Sequence, residues 1–326
     1  GPTIANSRPL AVLIDIIAIL TTIFGVTTSL GLGTIQISSG LNYVFSVPES
    51  FNNQVIIIAI ITLIGLTSVC LGLDKGIKRL SQVNMILATS LMLFIFIFGP
   101  TVFIINALVQ NLGSYLNTVI ESATWTEAYS STSWQDSWTL FYYTWWFAWA
   151  PFVSLFIARI SYGRSIKEFI IGVLFVPSII VFFWMGIFGN AGIHQVINET
   201  SQINEIVNDN LTVALFALLE SYPASMLMSG FTLVIIVTFF VTSSDSGALV
   251  ASMLSSKSHI GIHDDSPILS RVSWATFLGI IAAVLLKKGG LTALQTSVVI
   301  FGVPFSIIVV FAIREFYKSL ENELKS

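Results

Sequence analysis

The chain is 326 residues long, 55% hydrophobic and only 10% charged, with a mean hydropathy of +0.87. A soluble domain carries about 25% charged residues, so water cannot cover this chain's whole surface. The net charge of −3 and the scattered bases argue against a nucleic-acid partner, and continuous rather than alternating apolar runs exclude a transmembrane barrel.

Apolar runs near the roughly 20 residues that cross a ~30 Å hydrocarbon core predict an all-α polytopic membrane protein surrounded by lipid. Eight spans are expected, at about 10–33, 54–73, 83–110, 138–160, 167–190, 226–254, 270–286 and 291–314. In the first, Gly25, Ser29 and Gly33 recur every four residues, a spacing that permits close helix approach. Asp15, near the start of that span, reads as an interfacial or capping acid. The single cysteine, Cys70, lies inside the second apolar run, so no intrachain disulfide can form. Connections 111–137 and 191–225 hold acids but no Lys or Arg, while the short ones carry Lys75, Lys78 and Arg79, then Arg159, Arg164 and Lys167. That asymmetry places the short loops and both ends of the chain in the cytoplasm of a cell-membrane protein. Residues 199–219 have the spacing of an amphipathic helix lying on the outer surface. Asn198 and Asn210 begin sequons, a pattern common by chance. "HIGIHDDS" at 259–266 lacks zinc-site spacing and reads as a solvated loop. The chain opens Gly-Pro, which suggests a processed end or a piece of a longer protein.

The fourth span opens "WTLFYYTWWFAWAPF", residues 138–152. An interfacial aromatic belt accounts for Trp134 and Trp138. Trp145 and Trp149 lie roughly 10–17 Å deeper at 1.5 Å per residue, near the bilayer midplane, where that explanation fails. At 100° per residue Tyr142, Trp145, Trp146, Trp149 and Phe152 fall within an arc of about 120°. Indole N–H groups at that depth need partners that lipid cannot supply, so a wall facing a cavity fits better than one facing lipid. Such a wall suits a quaternary ammonium group, which has no N–H and is held by ring quadrupoles. In the sixth span Thr242, Ser243, Ser244 and Ser246 surround Asp245. Each hydroxyl alone can bond back to its own helix. Together with an intramembrane acid they suggest a path for a hard cation.

The block "WTLFYYTWWFAWAPFVSLFIARISYGRSIKEF" (138–169), with "TIFGVTTSLGLGTIQISSGLNYVF" (22–45) and "FFVTSSDSGALV" (239–250), resembles the betaine/choline/carnitine transporter family. The resemblance implies twelve helices, ten of them forming two inverted repeats of the sodium-symporter type, with this chain's eight aligning with the last eight. Residues 1–110 would then hold the end of the first repeat and 138–314 the second, the N-terminal helices being absent. It also implies that Trp145, Trp146 and Trp149 box the trimethylammonium group, with Tyr142, Tyr143 and Phe152 lining the same pathway. Phe239, Thr242 and Ser243 would form half of one sodium site. Thr22, with Phe152 packing across, would serve a second. Val26 stands where that second site's companion hydroxyl is expected, leaving open one sodium, a site shifted to Thr27, or a proton. The short motifs "VTTS" (26–29) and "VTSS" (241–244) hint at kinship between the two repeats.

The expected function is import of a quaternary-ammonium solute by alternating access, glycine betaine first and choline or carnitine next, with Na+ as coupling ion. A truncated, non-transporting membrane protein is the rival. A membrane enzyme is disfavoured, because no nucleophile–base pair or metal constellation lies at a span end. No catalytic residue, cofactor or metal site is assigned, and a homo-oligomer is left open.

Overall fold

The computed structural model describes residues 7–72, 76–130, 132–198, 202–256 and 266–325. Lys75, the first sequon's Glu199 and Thr200, and residues 259–265 of the His-containing loop lie outside the described residues, as does the side chain of Arg159. The helices are α1 (Arg8–Phe45), α2 (Phe51–Gly72), α3 (Lys78–Phe98), α4 (Thr101–Thr124), α5 (Phe141–Ile160) and α6 (Ile166–Ile197). They are followed by α7 (Ile203–Asp209), α8 (Ala214–Glu220), α9 (Ser225–Leu254) and α10 (Ile268–Lys325). Among the described residues seven helices are long and apolar enough to cross a membrane, and no strand is present.

The seventh of these, α10, doubles back. Gly290 adopts φ 55°, ψ −137°, outside the helical region and open to glycine without strain. Contact register shows the reversal. In the first arm Arg271 Nη1 donates to Val69 O, and Gly279 lies against Thr62, so it runs antiparallel to α2. In the second arm Leu294 accepts from Thr28 and Phe301 from Thr21, so it runs antiparallel to α1. Each arm exceeds the roughly 20 residues needed to span, so α10 supplies the two final passes.

Helix α1 is the hub. Its small and hydroxyl-bearing residues, Gly25, Thr28, Ser29, Gly31, Gly33 and Thr34 among them, are buried. Small side chains let neighbouring backbones approach closely, which drives helix association where lipid removes the hydrophobic difference. Phe240 of α9 lies against Gly33, and Val26 lies against Gly247 of α9, an antiparallel crossing. Helix α1 ends at Ser46, in the left-handed region at φ 55°, whose N–H donates to Asn42 O. It therefore runs well beyond the expected limit of 33. At 38 residues it is roughly 57 Å long, more than a ~30 Å hydrocarbon core requires.

Two expectations are corrected. The predicted span 83–110 is broken at Gly99–Pro100. Proline has no N–H for the helical ladder, and Gly99 is extended at ψ −166° with its N–H capping Ile95 O. Beyond the break, α4 buries only Ile104 and Leu108 and lies along α6, where Asn111 Nδ2 donates to Asn190 Oδ1 and Phe103 meets His194. The single amphipathic helix expected over 199–219 is instead α7, a 3-10 turn at Leu211–Val213, and α8. Asn210 breaks it: its Oδ1 accepts from the Thr212 N–H and hydroxyl. Ile203, Val213, Phe216 and Leu219 are buried in the protein, so these pieces plug the helix ends rather than float on the surface.

The link from α4 to α5 is organised by Glu127, at φ 60°. Its carboxylate accepts from the Thr132 hydroxyl and from the N–H groups of Trp134 and Gln135. These donors, Thr132 foremost, hold its carboxyl below the usual glutamate range. A depressed value means the tie is present above the ordinary glutamate pKa and is lost as pH falls through the lowered one. Glu127→Gln should therefore speed amide exchange at Trp134 and Gln135 at neutral pH. The unmutated protein should reach the same rates only on acidification, after correction for intrinsic pH dependence. Equal rates in both proteins at neutral pH would count against this tie.

Candidate solute and ion sites

Helix α5 is clamped between α1 and the second arm of α10. A Cβ on Gly25 would stand 2.9 Å from Ala148 Cβ, and one on Gly302 would stand 2.5 Å from Thr144 O. These approaches set α5 close enough for Trp145 Nε1 to donate to Gly25 O at 3.3 Å. The indole at depth thus finds its partner in a backbone carbonyl of the hub helix.

The rings then form a continuous series along α5. Trp138 stacks on Tyr142, with centroids 5.9 Å apart and an interplanar angle of 15°. Trp145 and Trp149 are perpendicular, at 88° and 6.4 Å, and Trp149 leans on Phe152 at 5.2 Å. Tyr142, Trp145, Trp146 and Trp149 line a cavity of about 150 Å³. A space on that order accepts one benzene-sized group. Its walls offer aromatic faces and no charged side chain, a surface suited to a soft, methylated cation rather than an ammonium that must donate hydrogen bonds. Trp149 Nε1 is buried and has no hydrogen-bond partner.

Two residues assigned to this group stand apart. Phe152 is buried behind Trp149, in a cluster with Ile23 and Val26, and supports the wall instead of lining the cavity. Tyr143 is 62% exposed and lines a different cavity, with Trp125, Trp134 and Glu121.

On α9 the Phe239 carbonyl accepts from both the Thr242 hydroxyl, at 2.9 Å, and the Ser243 hydroxyl, at 3.0 Å. Three oxygens are gathered on one turn, the two hydroxyls keeping lone pairs free to face a cation. Thr22 is fully buried on α1 and its hydroxyl makes no hydrogen bond, so no such bond joins it to the Phe239 turn. Val26, one turn on, is fully buried with its methyl groups against Gly247. Thr27 is likewise buried with an unpartnered hydroxyl. Sequence reasoning singled out Asp245 but not its partner: Ser68 of α2 donates to Asp245 Oδ2 at 2.5 Å across 177 positions, and no local pattern reveals that pairing. Among the described residues no group of three His, Cys, Asp or Glu side chains is placed to hold a metal ion.

Comparison with known proteins gives a consistent result. Residues 4–325 match the family described as BCCT, betaine/carnitine/choline family transporter. The chain is 42% identical to a glycine betaine transporter of Acinetobacter baylyi over 96% of its own length and 47% of the relative's. It is 40% identical to the glycine betaine transporter OpuD of Bacillus subtilis, covering 97% of the chain and 60% of the relative. It is 38% identical to a high-affinity choline transport protein of Escherichia coli, covering 97% and 46%. The chain therefore spans about half the length of the curated relatives it matches.

Proposed function

The chain belongs to the betaine/carnitine/choline transporter family, a multi-pass membrane transporter rather than an enzyme, and from that membership we propose that it carries a quaternary-ammonium solute, glycine betaine first, by sodium-coupled alternating access. The observation that carries this reading is the cavity lined only by Tyr142, Trp145, Trp146 and Trp149. Each ring adds roughly 0.5–2 kcal/mol of cation–π attraction, so three supply a few kcal/mol, within reach of micromolar to millimolar binding once a carboxylate is also held. Choline and carnitine present the same trimethylammonium head. The antiparallel crossing of α1 and α9, each bearing its hydroxyl motif, supports assigning them to corresponding positions of two inverted repeats. Exposed Lys78, Arg79, Arg164 and Lys167, in or directly beside the short connections, support cytoplasmic ends.

The test is binding of glycine betaine to the complete transporter, followed by tryptophan fluorescence. Saturable quenching is expected with trimethylammonium solutes and not with glycine. Equal responses to both would sink the reading. Sodium is tested separately, through the Phe239 turn. Thr242→Ala combined with Ser243→Ala should raise the sodium concentration for half-maximal uptake about tenfold or more, because each lost oxygen is comparable to a charge-assisted hydrogen bond of ~1.5–3 kcal/mol. Unchanged sodium dependence would place the coupling ion elsewhere.

A further inference from the structure

Two side chains from different helices share one backbone oxygen beside the aromatic cavity. Gly25 O of α1 accepts from the Ser29 hydroxyl at 3.1 Å and from Trp145 Nε1 of α5 at 3.3 Å. As the i→i+4 acceptor of its helix it also faces the Ser29 N–H. Three donors thus meet an oxygen with two lone pairs. The bond lengths reflect that competition. Hydroxyl back-bonds of the same i−4 kind measure 2.8 Å at Ser90 and Ser273 and 2.7 Å at Thr34, which stands on α1 itself. The Ser29 bond is longer than these, and the indole bond exceeds the roughly 2.9–3.0 Å usual for N–H···O. Behind the ring, buried Phe141 stacks on Trp145 with centroids 5.3 Å apart and an interplanar angle of 22°. A stacked face resists tilt but tolerates sliding, so the indole bond decides how far the ring reaches along the wall. Ser29 is itself buried and does not line the cavity.

We propose that Ser29 is a positioning residue for the solute cavity: by sharing Gly25 O it keeps Trp145 on a long, yielding bond, and so sets how sharply the cavity distinguishes ammonium head groups by size. The proposal rests on the transport reading above. A yielding ring closes on a smaller head, whereas a fixed ring leaves a gap, and dispersion contact falls steeply across a gap of about 0.5–1 Å. With the Ser29 hydroxyl present, dimethylammonium and trimethylammonium heads are both gripped. Without it, Gly25 O is left to the indole, that bond shortens, and the ring stays at the width that the larger head fills. The four-residue spacing of Gly25 and Ser29 therefore serves more than close helix approach, because it puts a hydroxyl one turn from the carbonyl that holds the indole.

The test uses the complete transporter in detergent with isotope-labelled indole nitrogens followed by NMR. The Trp145 N–H resonance is the one missing in Trp145→Phe. In Ser29→Ala it should move downfield and exchange with solvent more slowly, as a shorter hydrogen bond requires. Ser29→Cys, whose S–H is a weaker donor, should fall between. Calorimetric titration should show the affinity ratio of glycine betaine to dimethylglycine rising about threefold or more in Ser29→Ala. An unmoved Trp145 resonance overturns the proposal. So does an unchanged ratio, which is what a purely structural loss common to both solutes would give. Should Ser29→Ala fail to fold, Ser29→Cys decides by the same two readings: shifts in the same directions support the proposal, and unmoved values refute it. Absence of glycine betaine binding in the unmutated protein would overturn the transport reading and the selectivity role with it. The resonance is read without solute, so it still reports separately whether Ser29 holds the ring.

Discussion

Replacing Trp149 by leucine should lower the affinity expected for glycine betaine by roughly 30-fold, the equivalent of ~2 kcal/mol from a desolvated cation–π contact. The same change at Trp138 should leave affinity within about a factor of two. Both residues are tryptophans of one segment, so the difference isolates position. Trp149 lines the aromatic cavity, stands perpendicular to Trp145 and is backed by Phe152. Trp138 is 42% exposed and stacks on Tyr142 at the start of the series. Leucine keeps apolar bulk but has no quadrupole, so the loss reports on the cation. Calorimetric titration of the complete transporter measures it without relying on tryptophan emission. Similar losses at both positions would dismiss the box. Trp149→Phe should recover part of the affinity, since a smaller ring retains a negative face.

The largest expected loss of stability comes from Gly302→Val. A Cβ there meets Thr144 O at 2.5 Å and Thr144 C and Cβ at 3.1 Å, and the first two are backbone of a packed helix that no rotamer change can move. Overpacking a core costs about 1–3 kcal/mol when side chains can adjust, and here α5 must separate from α10 instead. Thermal unfolding in detergent should fall by many degrees and monodisperse protein should drop sharply. Gly113→Val is the control, because a Cβ at Gly113 meets nothing within 4 Å. Equal thermal stability of the two variants would mean that the close approach of α5 to α10 is not needed. Survivors of Gly302→Val should also bind solute poorly, since the same clamp sets Trp145 against Gly25.

The membrane class was legible because bulk hydropathy needs no tertiary information. The division of the last helix into two passes was legible too, since the apolar runs 270–286 and 291–314 are interrupted by Lys287, Lys288 and two glycines. The break at Gly99–Pro100 was not, since apolar residues continue on both sides and hydropathy is blind to a missing N–H, although the dipeptide itself carries the signal. Within the aromatic segment, helical spacing excludes Tyr143 from the lining rings but does not by itself exclude Phe152. Tyr143 lies 100° round the helix from Tyr142, outside the arc that holds Trp145, Trp146 and Trp149. It entered the candidate group by resemblance, and the structure turns it to another cavity. Phe152 lies within the arc but at its edge, and is covered by Trp149. The pairing of Ser68 with Asp245 depends on the register of α2 against α9, which no periodicity within either helix encodes.

The threonines of α1 have a mechanical meaning. Thr21 and Thr28 are seven residues apart, and the carbonyls they bond, Phe301 and Leu294, are seven residues apart in the opposite direction. Two ties at matching two-turn intervals act like pegs in a toothed rack. Rotating either helix, or sliding it by one turn, would break both ties at once. Helix α1 and the second arm of α10 are thereby pinned in one register at two levels, and a change in their relative position has to give up both ties together.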